Sequence, residues 1–180
     1  MHPRWVGRLG LALGLSALAA SGLAWTIHRD QLPAAPTTVA IGARLPGLQL
    51  TATSGEVRLI DQMGGRPAIV VVFLGSWCPY CRNELSRFRA ALEQQHSDGI
   101  TILGTSADPP EILAELKRRL DLPFELLTDP AGAVAATCNL AMHCVLLLDS
   151  NATLRWAGYA ESWHDPIDYA RVVRAAQRML

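Results

Sequence analysis

Neither sign of charge prevails in this 180-residue chain: 16 Lys and Arg meet 16 Asp and Glu, and the formal net charge is zero. A chain without a basic excess lacks the electrostatic footprint of a nucleic-acid binder, so that class is set aside. Cysteine is scarce. Cys78, Cys81, Cys138 and Cys144 are too few to staple a chain of this length as a disulfide scaffold. Cys78 and Cys81 form a Cys-x-x-Cys, a pattern shared by redox sites and half zinc sites. A zinc site needs two more ligands at a workable spacing. Cys138 and Cys144 stand far along the chain with five residues between them, a poor zinc pattern.

What is present fits a globular domain: half the residues are hydrophobic and 18% are charged. The length leaves room for one domain plus an N-terminal appendage. From Leu9 to Ile27 the chain carries no charge and is mostly Leu, Ala and Gly, about the length that crosses a bilayer core as a helix. Arg4 and Arg8 precede it, whereas Arg29 and Asp30 roughly cancel, so the expected orientation is N-terminus inside and the rest outside. Ala17-Leu18-Ala19 and Gly22-Leu23-Ala24 offer the alternative of a cleaved signal peptide. Either way the folded part is expected to be exported. The expected division is an anchor or signal over residues 1–30, a Pro-containing linker over 31–40, and one domain over 41–180.

Within the domain the pattern alternates between two periods. Leu48–Thr53 and Glu56–Ile60 are expected to be short strands around the turn signal Ser54-Gly55. Ala68–Leu74 is a continuous apolar run, as in a strand buried on both faces. After Cys78 the period turns helical, with Leu85, Phe88 and Leu92 on one face. Thr101–Ser106 reads as a strand, Glu111–Leu120 and Ala131–Cys138 as helices, Val145–Asp149 and Thr153–Tyr159 as a strand pair. The closing helix, Pro166–Leu180, turns Ile167, Ala170, Val173 and Leu180 inward. This order predicts an α/β fold with a mixed sheet covered by helices on both faces.

Cys78 follows the buried strand and opens a helix. A thiol there faces unpaired backbone N–H groups and the positive end of the helix dipole, and both favour the thiolate that attacks disulfides. Pro79 suits the first helical turn, where a missing N–H costs nothing. Cys81, one turn on, can attack the mixed disulfide that Cys78 forms. Cys78 is therefore the expected nucleophile and Cys81 the resolving thiol.

Phe73-Leu74-Gly75-Ser76-Trp77-Cys78-Pro79-Tyr80-Cys81-Arg82-Asn83-Glu84-Leu85 resembles the active-site segment of thioredoxin-like proteins of the redoxin, TlpA/ResA-like and AhpC/TSA group. Leu122-Pro123-Phe124, Leu127 to Gly132 and Leu147-Leu148-Asp149 are similar to later landmarks of that group. The resemblance runs from about Ile41 to the C-terminus. It implies a thioredoxin-like fold with an N-terminal β-hairpin, and an exported thiol–disulfide oxidoreductase that acts on protein dithiols or disulfides, draws on an upstream thiol donor, and sits in a bacterial inner membrane facing the periplasm. It implies no cofactor. Glu84 matches an acid that assists proton transfer in TlpA/ResA-like members; the alternative is a solvated helix carboxylate. Val72 stands where thioredoxin has its core acid.

Two departures matter. Thioredoxin-like proteins place a proline before the strand ending in Leu147-Leu148-Asp149, shaping the substrate groove; here Met142-His143-Cys144-Val145 stands instead. Trp77, Pro79, Tyr80, His143 and Cys144 are thus the groove candidates. A thiol or imidazole beside Cys78 and Cys81 also opens a Sco-like copper-chaperone reading. Cys138 and Cys144 are either a second disulfide or two buried apolar side chains. The later landmarks lean toward a second enzyme reading, a peroxiredoxin-like thiol peroxidase, and the second departure bears on it. Peroxiredoxins carry Pro-x-x-x-Thr/Ser-x-x-Cys, and the matching positions here are Val71 and Gly75, without the hydroxyl donor.

Overall fold

The computed structural model describes residues 37–45, 49–52, 54, 56–59, 65–138, 143–159 and 166–180. All lie in the unit Ala34–Leu180. The expected anchor, Leu9–Ile27, lies outside the described residues; no helix among them is long and apolar enough to cross a membrane.

The strands are β1 Gln49–Ala52, β2 Val57–Leu59, β3 Ala68–Phe73, β4 Thr101–Ser106, β5 Glu125–Thr128, β6 His143–Leu148 and β7 Leu154–Tyr159. The helices are α1 Pro79–Gln94, α2 Pro110–Leu120, α3 Ala133–Thr137 and α4 Tyr169–Gln177. They form one mixed sheet in the order β2-β1-β5-β4-β3-β6-β7. β3, β4 and β5 run parallel, and β6 lies antiparallel to β3 with Val72 opposite Cys144 and Phe73 opposite His143. The hairpin β1–β2 adds antiparallel to β5, as the β-hairpin expectation required.

β3 is central, and all six of its residues are buried, which is why its sequence is an unbroken apolar run. Its side chains alternate between two layers. Ala68, Val70 and Val72 join Leu146, Leu148, Cys144, Val134 and Cys138 in one core. On the other face Phe88 of α1 stacks on Tyr169 of α4 at 4.8 Å and meets Phe124 at 5.3 Å. The parity of β6 therefore places Cys144 toward α3 and His143 toward α1 and α4. Residues ahead of β1 also dock: the Thr38 N–H donates to the Thr137 carbonyl at 3.1 Å, and Leu45 N–H to Ala152 at 2.9 Å.

Three expectations change. Glu125–Thr128 is a strand; four residues after Pro123 are too few to display a period, and only pairing with β1 and β4 fixes them. The final helix starts at Tyr169, not Pro166, because the Asp168 side chain accepts the Arg171 N–H and caps it there. It ends at Gln177, so Leu180 lies exposed beyond it and Ala170 is only half-buried, while Tyr169, Val172, Val173 and Ala176 form the inward face.

Candidate active site

The site lies where β3 ends, at the middle of the sheet. Ser76 N–H donates to Asp108 Oδ2 at 2.5 Å, and Arg82 Nη1 donates to the Ser76 carbonyl at 2.8 Å, so the turn is clamped from both sides. Asp108 is itself held by Ser106, whose hydroxyl donates to Oδ2 at 3.2 Å. A Cβ at Gly75 would lie 2.6 Å from Nε1 of Trp77 and 3.3 Å from Asp108, so a side chain there would have to displace the exposed Trp77 ring.

Cys78 is the N-cap of α1, with Pro79 following in the first turn. Its sulfur accepts the Cys81 N–H at 3.3 Å, as the helix-start argument expects. Cys78 is 5% exposed and Cys81 fully buried, whereas Trp77 is 68% exposed and Leu74 39%. The approach to Cys78 therefore passes an apolar rim. Burial pushes the Cys81 thiol up to about 12; the hydrogen bond and charge of Cys78 push the same way, and backbone bonds at Leu74 and Gly75 oppose. Cys81 is a poor thiolate source without a proton acceptor.

One turn on, Glu84 is a charged-type side chain only 1% exposed. It is not a solvated helix carboxylate. The Tyr169 hydroxyl donates to Glu84 Oε2 at 3.1 Å, and Arg87 Nε stands 3.5 Å from Oε1. Burial raises its carboxyl above the ordinary value, opposed by Tyr169, Arg87 and a backbone bond at Ile167. Tyr169 Oη also lies 2.6 Å from Nε2 of His143, which is fully buried. Burial drives the His143 imidazole down to about 3, so it is neutral at physiological pH. Burial, then the charge and hydrogen bond of Glu84, hold the Tyr169 phenol well above its usual 10. Glu84, Tyr169 and His143 thus form one buried chain beneath the dithiol.

Among the groove candidates, Trp77 and Pro79 reach the surface. Tyr80, His143 and Cys144 are buried. Tyr80 packs edge-on to His143, with ring centroids 6.4 Å apart. Cys144 lies across the sheet, hydrogen-bonded to the Cys138 thiol, which with burial pushes its own thiol far up. All four cysteines are free thiols. Among the described residues no three His, Cys, Asp or Glu side chains group closely enough to hold a metal ion. The sequence reading missed Asp108, Arg82 and Tyr169. Asp108 sits in a Pro-flanked run that signals only a helix start, and Tyr169 lies one position before Ala170 on an apolar face.

The AhpC/TSA family profile matches residues 41–157. The chain belongs to the AhpC/TSA family. Among curated relatives, the thiol:disulfide interchange protein DsbE homolog of Paracoccus denitrificans is 32% identical over 114 residues, covering 62% of this chain and 60% of that protein. Peroxiredoxin Bcp of Bacillus subtilis is 29% identical over 98 residues, covering 54% and 62%. This AhpC/TSA chain spans less than two thirds of the length of either. Peroxidoxin BcpB of Mycobacterium tuberculosis superposes with a TM-score of 0.65 at 17% identity, over 78% of this chain and 97% of that one. The fold is thioredoxin-like, and the chain is a thioredoxin-like redox protein.

Proposed function

We propose that this AhpC/TSA protein is a thiol–disulfide oxidoreductase acting on cysteines of exported proteins, tethered or delivered by Leu9–Ile27. The observation that carries this reading is the pairing of a helix-capping Cys78 with a buried Cys81 that has a buried carboxyl, Glu84, one turn away. In the reductive direction the Cys78 thiolate attacks one sulfur of a substrate disulfide. A mixed disulfide forms and one substrate thiolate leaves. Cys81 passes its proton to Glu84 and attacks Cys78 Sγ; the second substrate thiolate leaves, and Cys78–Cys81 is the new disulfide. Two electrons move to the substrate, which takes up two protons. The 32% identity to a protein named for thiol:disulfide interchange supports this reading.

Thiol peroxidase is the second reading, favoured by the similarity to proteins named peroxiredoxins. Against it stands Gly75, which offers no hydroxyl at the position where peroxiredoxins hold the peroxide. In the test, full-length protein carrying Cys81→Ser is offered a disulfide-bonded protein substrate and, separately, hydrogen peroxide. Accumulation of a mixed disulfide at Cys78, with peroxide consumed no faster than by free thiol, is the expected result. Fast peroxide consumption without a mixed disulfide would replace the first reading by the second. The reduction potential of the wild-type pair then sets direction: near or below about −230 mV it is a reductant, near about −120 mV an oxidant.

A further inference from the structure

A tyrosine hydroxyl has one hydrogen. Tyr169 Oη stands between Glu84 Oε2 at 3.1 Å and His143 Nε2 at 2.6 Å, so that hydrogen serves one of them, and the oxygen accepts from the other. Two arrangements satisfy both contacts with a neutral imidazole. With Glu84 ionised, Tyr169 donates to it, and His143 donates to Tyr169 from a protonated Nε2. With Glu84 protonated, Glu84 donates to Tyr169, Tyr169 donates to His143 Nε2, and the imidazole hydrogen sits on Nδ1. The proton on Glu84 and the tautomer of His143 are therefore linked through one hydroxyl.

The far nitrogen breaks the tie. His143 Nδ1 is buried and has no hydrogen-bond partner among the described residues. A buried N–H without an acceptor is costlier than a bare lone pair. That favours the tautomer with hydrogen on Nε2, and so the arrangement in which Glu84 is a carboxylate. The groups around Glu84 are few. Helix α1 brings Tyr80, Cys81 and Arg87, the turn before α4 brings a backbone hydrogen bond at Ile167, α4 brings Tyr169, β6 brings His143, and β3 is wholly apolar.

We propose that His143 is a positioning residue: through Tyr169 it keeps Glu84 ionised and ready to take the proton of Cys81. This rests on the oxidoreductase reading for its consequence, although the coupling itself does not need turnover. Loss of the Nε2 donor leaves Tyr169 a weaker donor, and Glu84 then holds its proton to higher pH. A glutamine at 143 has a side-chain N–H that can donate in place of Nε2.

The test uses full-length protein with ¹³C-labelled glutamate carboxyls, the Glu84 resonance assigned by Glu84→Gln. Its titration is compared in wild type, His143→Leu, His143→Gln, Tyr169→Phe and the His143→Leu/Tyr169→Phe double variant. His143→Leu and Tyr169→Phe should each raise the Glu84 midpoint by about one pH unit, the scale of one charge-assisted hydrogen bond. The double variant should raise it no further, and His143→Gln should stay at the wild-type midpoint. The acid limb of mixed-disulfide resolution by Cys81 should move by the same amount. An unmoved midpoint in His143→Leu, or a His143→Gln midpoint moved as far as that of leucine, would overturn the proposal. A midpoint that moves as expected in a protein that exchanges no disulfides would leave the coupling standing and remove the functional reading instead.

Discussion

Between pH 7 and pH 5, acidification should weaken this fold through His143. The imidazole is fully buried and held down to about 3, against 6.5 in an unfolded chain. The folded state thus binds fewer protons than the unfolded one between those values. Stability is fully present above pH 6.5 and is lost as pH falls toward 3, at about 1.4 kcal/mol per pH unit. Between pH 7 and pH 5 the loss attributable to His143 is about 2 kcal/mol; carried through to pH 3 it reaches about 4 kcal/mol, a large share of a typical domain's stability. Glu84 has the opposite sign. Its carboxyl is raised in the folded state, so it costs stability above its folded midpoint and returns some of that as pH falls. Urea titrations of wild type and His143→Gln at pH 7, 6 and 5, followed by far-ultraviolet circular dichroism, separate the two. Glutamine does not titrate and keeps a donor for Tyr169, so Glu84 contributes alike to both proteins. Wild type should lose about 2 kcal/mol more than the variant from pH 7 to pH 5. Parallel pH profiles would refute the reasoning, because they would mean that the folded imidazole protonates as readily as the unfolded one.

Phe88→Ala should cost about 3–5 kcal/mol in the same denaturation assay, since Phe88 is fully buried between Phe124 and Tyr169. Asp129→Ala should cost about 1–2 kcal/mol, because the buried Asp129 carboxylate accepts the N–H groups of Ala133, Val134 and Ala135 at the start of α3. Gly104→Ala should destabilise by about 1–3 kcal/mol, as its Cβ would stand 2.5 Å from Leu126 Cδ2 and 3.5 Å from the Phe73 ring. Serine at both Cys138 and Cys144 should leave the reduction potential of Cys78–Cys81 unmoved, because Cys144 faces away from the dithiol across the sheet; a glutathione titration that shows a shift would couple the two pairs.

Most of the architecture was legible where one periodicity ran for six residues or more. The β3 run from Ala68 to Phe73 is apolar at every position and rich in β-branched residues, the pattern of a strand covered on both faces. Thr101–Ser106 was found to the residue. The dithiol was legible for another reason: its chemistry depends on local backbone geometry, a strand ending and a helix beginning, and both signals lie within a dozen residues of Cys78. β5 was not legible, since a four-residue strand shows no period of its own and exists because β1 and β4 flank it.

By itself the sequence determined the alternation of strands and helices, the place of Cys78 at a helix start, and the lack of a hydroxyl at Gly75. Each is a property of neighbours along the chain. Only the tertiary structure decided that Glu84 is buried, that His143 and Cys144 lie on opposite faces of β6, and that Asp108 clamps the active-site turn. Glu84 meets Tyr169 across 85 positions of chain, and Tyr169 meets His143 across 26. No local pattern records such distances: side-chain parity is set by strand pairing, and burial is set by which helix lands on which face.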